Sequence, residues 1–149
     1  MLRPTKVLVP TDFSESSDRA LAQGLEIAGQ YRAKLFLLHV IHEDIYRAGL
    51  EMAFLDETAR HDIRGRAEDW AQKGLKEQLG NFPRPEDVEV VTRVRWGIPY
   101  DEILKEGKEQ GIDLIVIASL GQSGIAKYFM GSVARNVLKG SRCPVLLTK

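Results

Sequence analysis

Two stretches of this chain set out residues that can hold a phosphate-bearing ligand. The first is Ala118-Ser119-Leu120-Gly121, nine further residues, and then Gly131-Ser132-Val133. It follows the apolar run 113–117, so its glycines fall beyond the carboxyl end of a strand, where an α/β sheet has its ligand crevice. Gly121 lets backbone approach a ligand closely, and Gly131-Ser132 opens a helix whose free N–H groups can hold a phosphate. This spacing points to a nucleotide. The second stretch is Pro10-Thr11-Asp12, which sets a hydroxyl and a carboxylate just past the first apolar run.

The elements around these residues alternate from end to end. Residues 6–10 form a short apolar strand closed by Pro10, which cannot donate to a ladder. Thr11, Asp12 and Ser14 are acceptors suited to capping a helix that runs to Tyr31, with Ala20, Leu21, Gly24, Leu25, Ile27 and Ala28 inward. Residues 33–41 are a second strand. From 42 to 80 the composition is helical, with Ile45, Leu50, Phe54, Leu55, Ile63, Trp70, Leu75 and Leu79 as apolar positions. It predicts a loop near Gly49 and then one long helix stopped at Gly80-Asn81 by Pro83 and Pro85. Residues 87–95 are a third strand, Pro99 starts a helix that Gly111 ends, and residues 113–119 and 143–148 are strands four and five, joined by the glycine loop and a helix over 132–138. Such alternation makes a parallel α/β sheet with helices on both faces. Strands one, four and five read as near-continuous apolar runs, as expected of strands buried on both faces. With no internal repeat, residues 1–149 read as one domain.

Composition excludes several functions. Twenty-one Lys and Arg balance twenty-one Asp and Glu, with no block of like charge, so the basic footprint of a nucleic-acid binder is missing. Cys143 is the one cysteine, which excludes an internal disulfide and a multi-cysteine zinc site. His39, His42 and His61 lack metal-ligand spacing with any cysteine, and His39 reads as a satisfied, partly buried histidine. No apolar run reaches the roughly 18 residues of a membrane span, and the N-terminus enters a strand without a signal peptide, so the expected location is cytoplasmic. There is no G-x-x-x-x-G-K-[ST] loop, no G-x-G-x-x-G after the first strand, and no recognisable nucleophile arrangement, so fast chemistry is not expected.

Val7-Leu8-Val9-Pro10-Thr11-Asp12-Phe13-Ser14, the Leu38-His39-Val40 ending of the second strand, Gly97-Ile98-Pro99, and the closing Gly-Ser loop with Cys143-Pro144-Val145-Leu146 together resemble the universal stress protein family. The motifs occur in order, at the family's spacing, along essentially the whole chain. The resemblance implies an open five-stranded parallel sheet in the order 3-2-1-4-5, a homodimer and, in one branch, bound ATP. That branch carries glycine, two residues, glycine, nine residues, then glycine with serine or threonine. Here Gly121 is the second glycine and Gly131-Ser132 the closing pair, but Ala118 stands where the first glycine belongs.

By the same resemblance, Asp12 meets a ribose hydroxyl or a magnesium ion on the phosphates, with Pro10 and Thr11 beside it, and Val40 lines the adenine. Ala118, Ser119, Gly121, Gly131, Ser132 and Val133 surround the rest of the nucleotide. Each position also has a plainer role: Asp12 as a helix cap, Val40 as core, Gly121 and Gly131 as turn and helix-entry glycines, Lys127 as a solvated cation. Trp70 and Trp96 read as packing anchors. In the implied order the last strand is an edge, and Val145, Leu146 and Leu147 make it apolar, so the strand from Pro144 to Thr148 is the expected dimer contact. The leading reading is a regulatory ATP-binding protein acting in stress response through protein contacts. The alternatives are a nucleotide-free dimeric module, which Ala118 favours, and a slow ATPase.

Overall fold

A computed structural model describes residues 2–52, 56–120 and 130–149. The elements are β1 (Lys6–Pro10), α1 (Glu15–Tyr31), β2 (Lys34–His42), α2 (Glu43–Met52), α3 (Glu57–Gly80), β3 (Val90–Gly97), α4 (Pro99–Glu109), β4 (Leu114–Ala118), α5 (Ser132–Gly140) and β5 (Val145–Thr148). The strands form one parallel sheet in the order β3-β2-β1-β4-β5, as expected. β1 lies at the centre, with Val7 opposite Leu35 on one side and Leu114 on the other. Val7, Leu8 and Val9 are fully buried.

The chain winds outward from β1 in both directions, and right-handed crossovers then send the helices to opposite faces. Residues from α1 and α3, including Leu21, Leu25 and Leu75, pack on Val7, Val9, Leu35 and Leu37. Residues from α4 and α5, including Ile103 and Val137, pack on Leu8, Phe36, Leu38 and Ile115. Successive strand residues serve alternate cores, which is why β1 and β4 are apolar throughout.

Local signals set the helix ends. Ser14 caps α1 by accepting from the Ser17 N–H at 3.2 Å, and Pro99 stands in the first turn of α4. The break expected near Gly49 is not there. Gly49 lies inside α2, and α3 starts after Asp56, whose carboxylate accepts from the Ala59 N–H at 2.8 Å. A cap of this kind stabilises a helix start by about 1 kcal/mol, comparable to the cost of one interior glycine, so composition alone misplaces the boundary. Phe54 and Leu55 lie outside the described residues. The third strand starts at Val90, because Val88 donates to the Pro85 carbonyl in a turn that precedes it.

The two sheet edges differ. β3 carries Arg93 and Arg95 against α4: Arg95 reaches Glu102, Glu106 and Glu109 at 2.8, 2.6 and 2.9 Å, and Arg93 reaches Glu106 at 3.0 Å. Glu106 is fully buried, so its charge depends on these guanidinium partners. β5 was expected to be buried on both faces, but Leu146 is 39% exposed, because the strand is the edge of the sheet, with β4 on one side and no strand on the other among the described residues.

Gly24 shows how closely α1 sits on the sheet: a Cβ there would lie 2.5 Å from Val9 Cγ2. Gly24→Ala gains up to about 1 kcal/mol of helix propensity but costs about 1–3 kcal/mol of overpacking. The variant is expected to melt a few degrees below the unchanged protein in a calorimetric scan; a raised melting temperature would show that α1 can lift without loss.

Candidate functional site

The turn after β1 is held from behind by three elements. The Thr11 N–H donates to the Leu38 carbonyl at 2.8 Å, extending the β1–β2 pairing by one residue. The His39 Nδ1 lies 2.8 Å from the Thr11 carbonyl, which can only accept, so Nδ1 carries the proton. Phe13 follows at φ 63, a left-handed conformation costly for a bulky residue. Its ring stacks on His39 at 4.4 Å, meets the edge of Trp70 at 5.4 Å, and occupies space that a Cβ on Gly74 would close. Burial lowers the His39 pKa from its ordinary 6.5, outweighing the Thr11 hydrogen bond and the Asp12 charge that favour the protonated ring.

In front of this turn the sheet opens into a cleft of about 290 Å³. One wall is Pro10, Thr11 and Asp12; a second is Leu38, His39 and Val40; the third is Ile117 through Leu120 with Gly131 through Ala134; Pro99 and Ile103 of α4 close the floor. The cleft lies between the ends of β1 and β4, where the strand order reverses, the place such sheets bind ligands. α5 begins here without a side-chain cap: Gly131 donates to the Ser119 carbonyl at 2.7 Å, and the first main-chain bond back to the helix start comes from Arg135. The N–H groups of Ser132, Val133 and Ala134 therefore have no intrahelical acceptor and lie at the cleft wall.

A model of the universal stress protein family matches residues 4–149. The chain belongs to the universal stress protein family. It is 32% identical over 153 residues to universal stress protein MJ0577 of Methanocaldococcus jannaschii, a match covering 97% of this chain and 94% of that one. Against a solved structure of MJ0577 the TM-score is 0.78, with 28% identity, over 99% of this chain and 97% of that one. Two more distant structures share the fold. One is a universal stress protein in complex with cAMP, with TM-score 0.64 and 24% identity over 99% of this chain and 98% of that one. The other is the universal stress protein from Archaeoglobus fulgidus in complex with dAMP, with TM-score 0.60 and 20% identity over 99% of this chain and 100% of that one.

Of the positions singled out from the family pattern, Pro10, Thr11, Asp12, Val40, Ala118, Ser119, Gly131, Ser132 and Val133 line this one cleft. Gly121 and Lys127 lie outside the described residues. The capping role open to Asp12 belongs instead to Ser14; Asp12 Oδ1 accepts from the Ser14 N–H at 3.0 Å in the turn before the helix. Ala118, the departure from the family glycine, packs its methyl with the α1-side core while the cleft lies over the α4 and α5 side. Strand alternation puts that methyl on the α1 side of the sheet, opposite Ile117, while Ala118 still borders the cleft. Gly131 has φ −59, which any residue adopts, so helix entry alone does not require glycine there.

Leu38, Ile103, Ile117 and Ala134 also line the cleft, though their sequence signal is that of core residues. Trp70 is 61% exposed and makes T-shaped contacts with Phe13 and His39, so it is less an anchor than expected. Trp96 is better held: Nε1 donates to Glu68 at 2.7 Å, Arg64 lies over the ring, and Tyr46 meets it edge-on.

The lowered His39 pKa sets the sign of a pH effect. The unfolded chain takes the proton first, so stability from the neutral ring is complete above about pH 6.5 and is lost as pH falls through the lower, folded value. NMR titration of the His39 ring is expected to give a midpoint below 6.5; a midpoint above it would mean that the Asp12 charge outweighs burial.

Proposed function

We propose that this chain binds an adenine nucleotide, ATP with magnesium, in the cleft beyond β1 and β4 and acts in stress response through contacts with other proteins. The observation carrying this reading is that one cleft brings together an apolar slot, a carboxylate and an uncapped helix start. Leu38, Val40, Pro99 and Ile103 offer a dry surface for a base, and backbone groups at the strand ends can read its edge. Asp12 stands where a ribose hydroxyl, or a metal on the phosphates, would meet it. The N–H groups of Ser132 to Ala134, at the positive end of the α5 dipole, suit the phosphates. The cleft volume falls near the lower end of small-molecule sites. Among the described residues no three His, Cys, Asp or Glu side chains gather to hold a metal, so magnesium would rest chiefly on the phosphates. That relatives of the same fold hold cAMP and dAMP supports the reading at the level of the fold.

The nucleotide-free alternative drew on the methyl of Ala118, which packs with the α1-side core at the border of the cleft. Calorimetric titration of nucleotide-free protein with magnesium ATP is expected to show saturable heat below millimolar ligand, weakened about tenfold by Asp12→Ala, the scale of one charge-assisted hydrogen bond. No heat at millimolar ligand would overturn the proposal.

We also propose that the protein is a homodimer through β5. The outer edge of β5 meets no strand among the described residues, and Leu146 is exposed on this strand, whereas the β3 strand carries its arginine and glutamate network. A second β5 across a two-fold axis satisfies both backbone and side chains. Sedimentation is expected to show a dimer at micromolar concentration and a monomer for Leu146→Lys; a monomer in the unchanged protein would contradict this.

A further inference from the structure

Behind the cleft, one side chain from a distant helix completes the Thr11–Phe13 turn. Gln78 of α3 is 6% exposed and reaches across to residues 60 and 67 positions earlier in the chain. Its Nε2 lies 2.7 Å from Asp18 Oδ1, and its Oε1 lies 2.8 Å from Thr11 Oγ1. The Asp18 carboxylate can only accept, so the amide nitrogen must face it. The amide oxygen is thereby turned toward Thr11 and accepts from its hydroxyl at 2.8 Å, with Ser17 Oγ a second acceptor at 2.9 Å.

The neighbouring Ser17 hydroxyl, 2.9 Å from Thr11 Oγ1, gives its own proton to the Ser14 carbonyl at 2.8 Å. With its proton directed toward Gln78, the shorter of its two contacts, Thr11 Oγ1 turns its lone pair to the Phe13 N–H at 3.0 Å. That bond closes the turn around Asp12 and holds Phe13 at its positive φ. Hydrogen-bond direction thus passes from Asp18 through Gln78 and Thr11 to the backbone flanking Asp12.

We infer that Gln78 is a positioning residue for the nucleotide site, fixing the Thr11 hydroxyl and with it the turn that presents Asp12 to the cleft. This rests on the adenine-nucleotide reading above. It makes α3, which contributes no residue to the cleft wall, a determinant of nucleotide affinity. An amide is required at position 78 because it alone offers a donor to Asp18 and an acceptor to Thr11. A carboxylate there would face Asp18 with like charge, and an apolar side chain would remove the Gln78 acceptor and let the Thr11 hydroxyl turn to Ser17 Oγ.

The test uses the full chain with Gln78→Met, with Gln78→Glu, and with Gln78→Glu combined with Asp18→Asn. Each is titrated with magnesium ATP, with melting curves and ligand-free amide spectra of Asp12 and Phe13. The two single variants are expected to bind about tenfold more weakly. In the pair, the asparagine amide donates where Asp18 accepted and the new carboxylate still accepts from Thr11, so affinity and both amide shifts are expected to return close to those of the unchanged protein. Affinity unchanged in Gln78→Met, or a loss in Gln78→Glu that the pair does not restore, would overturn the inference. Should Gln78→Met fail to fold, the restoring pair carries the test. If the unchanged protein takes up no ATP, the nucleotide reading fails, while the ligand-free amide shifts still decide whether Gln78 sets the turn.

Discussion

β1 occupies the centre of the sheet, and the chain leaves it in two directions: to β2 and β3 on one side, to β4 and β5 on the other. Because each parallel crossover must be right-handed, this reversal sends α1 and α3 to one face and α4 and α5 to the other. The cleft lies beyond the carboxyl ends of β1 and β4, at this reversal. The placement of the cleft-lining groups is a consequence. Asp12 follows the end of β1, Val40 stands near the end of β2, and the uncapped start of α5 closes the far wall. A buried, apolar β1 is the condition for all of it, and Val7, Leu8 and Val9 meet that condition with no exposed surface.

The strand alternation that builds the two cores also sorts the site into layers. Side chains on the α4 and α5 face, such as Leu38, Val40 and Ile117, shape the cleft directly. On the α1 and α3 face, Phe13 and Gln78 hold the turn from behind, while His39 and Ser17 both hold it and border the cleft. The same logic decides the meaning of Ala118. Its position in the motif suggested an obstruction, but its place in the strand directs the methyl into the opposite core.

Much of this was legible in the sequence because the signals are local. Apolar runs of strand length, Ser14 before a helix, Pro99 at a helix start and the spacing from Gly121 to Gly131 each act over a few residues, and the family pattern joined them into a topology. The start of α3 was not legible, since an interior glycine at 49 and a cap at Asp56 compete on nearly equal terms. Gln78 and Ser17 were missed for a different reason. Polar residues on a helix read as solvated until the fold shows that a third element buries them against Thr11, a contact spanning 67 positions. The incomplete burial of β5 likewise follows from its edge position more than from its apolar composition.

A crystal structure grown with excess magnesium ATP tests the central claim most directly, because the claim concerns where the sheet places a ligand. The account predicts the base against Val40 and Pro99, the ribose or metal at Asp12, and phosphates at the N–H groups of Ser132 to Ala134. An empty cleft at saturating ATP, or a nucleotide bound at another surface, would contradict it.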